Sequence, residues 1–227
     1  MKRKITDRCK SLWQHSTGLE RMLLFTSAFG VALFVIRWIV SSQSLFSFLP
    51  WNLMLAFIPY YITRKLQQRL QWIENGIKFS SIFLVWLLFI PNSFYIITDL
   101  FHLKLSDGML RWFDLVLIFT FAWNGILLGI VSVSRMTTIV LHRFAIRNEL
   151  VFLLPLMGMI AWGVFIGRFM RFNSWDILAN PFQLIGDVGY MLVHPFRHAY
   201  SWSMVGCFAV LLLFLYLTMK KMVKHIE

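Results

Sequence analysis

Apolar runs of close to twenty residues follow one another along most of the chain, each closed by a polar break. They fall near 22–40, 46–63, 79–98, 112–133, 150–170 and 202–219. A helix crosses the hydrocarbon core of a bilayer with roughly 20 such residues. The pattern therefore predicts an all-α, polytopic membrane helix bundle with about six transmembrane helices. These form one membrane domain over 22–219, between basic tails at 1–21 and 220–227. No repeat, low-complexity tract or long linker argues for a second domain. The first run, Met22 to Val40, is too long for a signal-peptide core and lacks a clean small-residue cleavage site, so it reads as an uncleaved span. One further stretch, Asp176 to Val193, is too polar to span yet carries Ile177, Leu178, Phe182, Leu184, Ile185, Val188 and Leu192. That mixture predicts a short amphipathic helix in the outer interface, either a plain surface helix or a lid over an external cavity.

Charge sets the orientation. Lys and Arg concentrate before Met22, between spans two and three, between spans four and five, and after Thr218, sixteen in all. The alternate segments hold five: Lys104, Arg111, Arg168, Arg171 and Arg197. By the positive-inside rule both termini are cytoplasmic. Arg37 alone lies within an apolar run. A net charge of +12 would suit nucleic acid, but these residues sit between apolar runs and face anionic lipid headgroups instead, so no nucleic-acid partner is expected. Composition agrees: 59% hydrophobic and 14% charged residues cannot cover a water-facing surface. Cys9 and Cys207 fall on opposite sides of such a bundle, which excludes a disulfide between them.

The polar exceptions gather at the outer ends of four spans. In span three, Asn92, Tyr95, Asp99 and His102 recur at spacings of three, four and three, which on an α-helix makes one stripe. Pro91 just before them is expected to kink the helix. A polar stripe is costly against lipid and so should face other helices or an outer cavity. Asp114 opens span four, and Asn52 stands near the start of span two. Span five ends in Arg168 and Arg171, followed by Asn173 and Asp176. Paired guanidinium groups can clamp a phosphate or carboxylate, or serve internally by neutralising Asp99, Asp114 or Asp176. Of the two, Arg168 is deeper and is expected to be the structural member, held by Asp99 or Asp114, with Arg171 better placed to meet a ligand. Asp99, His102 and Asp114 are the candidate catalytic groups for acid–base work. Asn52, Asn92, Tyr95, Arg168, Arg171, Asn173 and Asp176 are the candidate binding groups. The inner ends show only solvated Lys and Arg.

Small residues at spacing four, Ala28 with Ala32, Gly125 with Gly129 and Gly163 with Gly167, predict close helix contacts. Asn124 stands beside the second pair near mid-membrane. His194 and His198 are four apart and, with His102, are candidate ligands for a divalent metal. No strict metal signature accompanies them, so no cofactor is predicted. Gly-rich phosphate loops and nucleophile elbows are absent.

At these positions the chain resembles a family of bacterial multi-span membrane proteins catalogued as domain-of-unknown-function family 1361. The resemblance rests on Trp51-Asn52-Leu53 with Pro59, and on Leu88-Phe89-Ile90-Pro91-Asn92 through Tyr95, Thr98, Asp99 and His102. It continues in Trp112 with Asp114, in Phe121-Ala122-Trp123-Asn124-Gly125, and in Gly167-Arg168 through Arg171 to Asn173-Ser174-Trp175-Asp176. It implies a bacterial protein of the cytoplasmic membrane and carries no activity with it. His194 and His198 lie outside the matching motifs.

Three functional classes fit the sequence. One is an enzyme or lipid-handling protein that holds an anionic lipid or envelope substrate at the outer leaflet. Another is a substrate-binding or transport subunit for a small anionic ligand, resembling importer binding components in architecture. The third is a non-catalytic assembly partner of another membrane protein.

Overall fold

The computed structural model describes residues 2–41, 46–105, 111–170, 186, 189–191, 193–194 and 196–226, with side chains described from Gly18 to Val223 within that set. The described residues form a helical bundle: α1 (Lys2–Ser41), α2 (Phe48–Gln68), the short α3 (Leu70–Glu74), α4 (Gly76–Tyr95), a 3₁₀ segment (Ile96–Leu105), α5 (Arg111–Arg143), α6 (Leu150–Phe169) and α7 (Ala199–Ile226). Among the described residues, five helical stretches are long and apolar enough to cross a membrane: Gly18–Val40, Gly76–Leu103, Arg111–Arg143, Leu150–Phe169 and Ala199–Val223. The expected helical membrane bundle holds, with five such stretches against the six spans expected and α2 as a further long helix. At 21 residues α2 is long enough, but Pro50, Asn52, Pro59 and Thr63 dilute its apolar character. It can carry them because it packs along both α4 and α5 and buries Leu49, Leu53, Ala56, Tyr60 and Leu66 there.

The 33-residue α5 is the axis of the fold. At 1.5 Å per residue it is about 50 Å long, well beyond the hydrocarbon core. It touches α1, α2, α4 and the 3₁₀ segment, while α6 packs on α4 and α7 packs on α6. Its end is a left-handed turn at Ala145 (φ 52°), where Ile146 N–H reaches back to Leu141 O at 3.1 Å. α1 and α7 are peripheral, with Phe25, Trp38, Ile39 and Phe214 among the large side chains they leave exposed. In a membrane protein that surface faces lipid.

Ion pairs order the two ends of the bundle. Glu20 of α1 meets Arg64 of α2 and Arg135 of α5, and Lys220 of α7 pairs with Glu149 before α6. The opposite end brings together Asn52, Asp99, His102 and Arg168, with Arg37 and Asp114 nearby. We refer to these as the basic end and the polar end.

Gly125 and Gly129, and Gly163 of the pair it makes with Gly167, work as contact faces. A Cβ on Gly125 would lie 2.6 Å from the Ser93 carbonyl oxygen, and one on Gly129 would lie 2.6 Å from the Phe94 ring. Gly163 sits directly against the Pro91 ring, so the residue that interrupts α4 is also the one α6 packs upon. The third pair is corrected: Ala28 and Ala32 are exposed. α1 faces the bundle instead through Leu23, Ser27, Gly30 and Arg37, which recur at a helical period. Gly125→Ala and Gly163→Ala are expected to cost about 1–3 kcal/mol each, because a carbonyl and a proline ring cannot move aside. Gly158→Ala and Gly206→Ala, which would meet nothing within 4 Å, should leave Tm in detergent within a degree or two. Thermal unfolding of the four variants measures the contrast.

Candidate functional site

Local structure at the end of α4 differs from the predicted α-helical stripe. The α-helix stops at Tyr95 and the chain tightens into 3₁₀ geometry from Ile96. At three residues per turn, positions three apart eclipse one another. Asp99 and His102 therefore line up, while Asn92 remains on the α-helical part with its amide donating to Phe89 O at 3.1 Å. The expected single stripe is thus split at Tyr95.

Asp99 is the centre of the polar end and only 1% exposed. Asn52 Nδ2 donates to Asp99 Oδ2 at 3.0 Å, and Arg168 Nη1 donates to Oδ1 at 3.4 Å. Arg168 Nη2 lies 3.2 Å from His102 Nδ1. A guanidinium can only donate, so this contact requires a lone pair on Nδ1. The imidazole proton then sits on Nε2, away from the arginine. In that tautomer the 3.3 Å approach of Nδ1 to the Asp99 carbonyl is a contact without a hydrogen bond. Phe48 packs on the His102 ring at 4.6 Å, and the Arg168 guanidinium lies 5.9 Å from the Tyr95 ring and 5.7 Å from the Phe101 ring. Helices α2, α4 and α6 and the 3₁₀ segment thus converge on one carboxylate, one imidazole and one guanidinium. Two of the five guanidinium N–H groups have named partners here, and the side chain is 16% exposed.

Asp114 does not join that group. It is fully buried and held by Arg37 through two bonds, Nε to Oδ1 at 2.5 Å and Nη2 to Oδ2 at 3.1 Å. Two rings stand between the clusters. The Arg37 guanidinium lies over Phe46 at 5.8 Å, Phe46 meets Phe48 edge-on at 6.2 Å, and Phe48 covers His102. Arg168 takes Asp99 as its carboxylate, one of the two partners expected for it.

Other sequence candidates are placed as follows. Arg171, Asn173 and Asp176 lie outside the described residues, as does most of the predicted amphipathic helix at 176–193. His194 and His198 both contact Tyr190, at ring separations of 4.5 and 5.7 Å. No group of three metal-type ligands occurs among the described residues. Asn124 accepts hydrogen bonds from Thr26 at 2.6 Å and Ser27 at 3.3 Å and donates to Thr120 O at 2.8 Å, which fastens α1 to α5. A second buried network joins Trp86 Nε1 to Ser132 Oγ and Ser132 to the Pro59 carbonyl, both at 2.9 Å.

The basic end, expected to hold only solvated Lys and Arg, is more than that. The Arg135 side chain is only 10% exposed and stacks over Tyr60 at 4.7 Å, and the Tyr60 hydroxyl donates to Glu20 at 2.9 Å. Arg37 and Arg135 are the residues that sequence reasoning passed over. The signal for Arg37 was present: one cation in an apolar span demands a buried anion, and few carboxylates occur at that depth.

Fold and site define a helical membrane protein with a partly buried charged cluster at one end of the bundle. A family model described as "Protein of unknown function (DUF1361)" matches residues 51–215, and the chain belongs to that family. No curated protein and no solved structure matches the chain.

Proposed function

We propose that the polar end is a binding site, open to the outer leaflet, for a phosphate-bearing or otherwise anionic headgroup of a lipid or envelope substrate. Arg168, which the sequence marked as the structural member, is on this reading the anion contact as well, and His102 is the group that exchanges a proton. The orientation this needs, with both termini in the cytoplasm of a bacterium, is supported by the sixteen-to-five bias of Lys and Arg.

The observation that carries the reading is the contrast between the two arginine–aspartate pairs. Arg37 holds Asp114 through both oxygens in complete burial. Arg168 holds Asp99 through one long bond and shares its other nitrogen with an imidazole. A pair that only fixes packing gains by closing its fork, as Arg37 does. Arg168 keeps N–H groups for a third party, and His102 has Nε2–H, in its Nδ1-acceptor form, to offer the same ligand.

Soluble glycerol phosphate serves as the test ligand. At millimolar concentration it is expected to raise the Tm of the wild-type protein in detergent by several degrees. Arg168→Lys should lose most of that shift while unfolding close to the wild-type temperature, since an ammonium cannot bridge three partners as a guanidinium does. An equal shift in both proteins sinks the assignment of Arg168.

A further inference from the structure

A groove at the basic end takes no part in the polar site. α1 leans on α5 and barely touches α2, and between α1 and α2 the chain leaves a cavity of about 590 Å³. Its wall is apolar, with Leu24, Met54, Phe57 and Ile58, and its mouth is formed by Glu20, Arg21 and Arg64. From Met54 to Arg64 the helix rises about 15 Å. That is half of a hydrocarbon core of about 30 Å, so the groove runs from one interface to the midplane.

The charge at the mouth is unbalanced toward the positive. Glu20 is engaged by Arg64 at 3.0 Å, by Arg135 at 3.5 Å and by the Tyr60 hydroxyl at 2.9 Å. Against this one carboxylate stand Arg21, Arg64 and Arg135, with Lys65 close by over Tyr61, which also lines the groove. Two buried guanidinium nitrogens, Arg64 Nε and Arg135 Nη1, have no hydrogen-bond partner. Buried donors of this kind call for an acceptor, and Glu20 is already shared among three donors.

We infer that this groove binds one phospholipid with an anionic headgroup, from the leaflet at the basic end. The phosphate lies on Arg21 and Arg64, and one acyl chain lies along α2 as far as Met54. A zwitterionic headgroup would bring an ammonium to the same arginines and fits less well. The site lies at the other end of the bundle, between α1 and the far half of α2, and does not rest on the function proposed for the polar end.

The test uses the full chain in vesicles of equal phosphatidylglycerol and phosphatidylcholine, re-extracted in mild detergent and weighed by native mass spectrometry. Wild-type protein is expected to retain phosphatidylglycerol over phosphatidylcholine at least fivefold. Gly206→Ala, which meets nothing within 4 Å, should retain it equally, and any phosphatidylglycerol lost in Arg168→Lys is the share held at the polar end. Arg21→Gln weakens the headgroup contact without touching the Glu20–Arg64 pair, and Ile58→Trp fills the acyl path; each should bring the preference below twofold. Should Ile58→Trp unfold early, Arg21→Gln alone decides. A wild type without preference overturns the inference, as does a preference unchanged by Arg21→Gln. An adduct of bare phosphate, or of a second copy of the chain, lost in Arg21→Gln in place of a lipid would also overturn it.

Discussion

Asp114→Ala will destabilise the bundle by about 3–5 kcal/mol, the largest loss expected from any single side chain described here. Both oxygens of Asp114 are held by Arg37, whose side chain is 6% exposed. Removing the carboxylate takes from the Arg37 guanidinium the two-oxygen acceptor that offsets its burial in the first span. Arg37→Ala should cost nearly as much by stranding Asp114. The double variant Arg37→Met, Asp114→Leu removes both charges and fills their volume. It should recover most of the loss, because an ion pair in a dry site gains little over well-packed apolar groups. Unfolding by denaturing detergent, followed through the three variants, measures the coupling. A double variant as unstable as Asp114→Ala would show that Arg37 has another essential partner.

The same pair shows how much of this molecule its sequence discloses. Apolar period and charge bias suffice for the helices, because lipid leaves a backbone few alternatives to a helix. Which helix meets which is a property of side-chain shape, and sequence reads that less well. Gly125, Gly129 and Gly163 were legible as contacts because a missing side chain admits a neighbour. Ala28 and Ala32 have the same spacing and face outward, since Ser27, Gly30 and Arg37 already fix the inward face of α1. Arg37 shows the limit most clearly. It was visible as the one cation inside a span, but naming Asp114 as its partner takes knowledge that α1 lies on α5.

The polar end was legible in its members and misread in its geometry. Spacing of three, four and three assumes an α-helix throughout, whereas the chain switches to 3₁₀ at Ile96. Nothing in Ile96-Ile97-Thr98-Asp99 forbids another α-helical turn. The tightening accompanies the capture of Asp99 by Asn52 and Arg168, which belong to α2 and α6. Tertiary contact has overridden local preference, as it often does at a site. The basic end was read as solvated cations because sequence offers no way to see that Tyr60 and Glu20 bury one of them.

Amide substitution will separate the two carboxylates: Asp99→Asn will be mild and Asp114→Asn severe. At Asp99 the two oxygens serve different partners, Arg168 on Oδ1 and Asn52 on Oδ2. An asparagine can keep its oxygen toward Arg168 and turn its NH₂ toward Asn52. The Asn52 amide then needs only to rotate by half a turn to present its oxygen. Every hydrogen bond survives and only the charge is lost, which Arg168 tolerates at its exposure of 16%. A cost of about 1 kcal/mol is expected, against about 2–3 kcal/mol for Asp99→Ala, where Asn52 and Arg168 both lose their acceptor. Asp114 faces two donors of one rigid guanidinium. Whichever way the amide turns, its NH₂ meets an N–H that cannot become an acceptor. Asp114→Asn should therefore fall within about 1 kcal/mol of Asp114→Ala. Unfolding of the four single variants in one detergent gives the comparison directly. If Asp99→Asn proves as damaging as Asp99→Ala, the charge on Asp99 holds this end of the bundle together and Arg168 has no N–H to spare for a ligand.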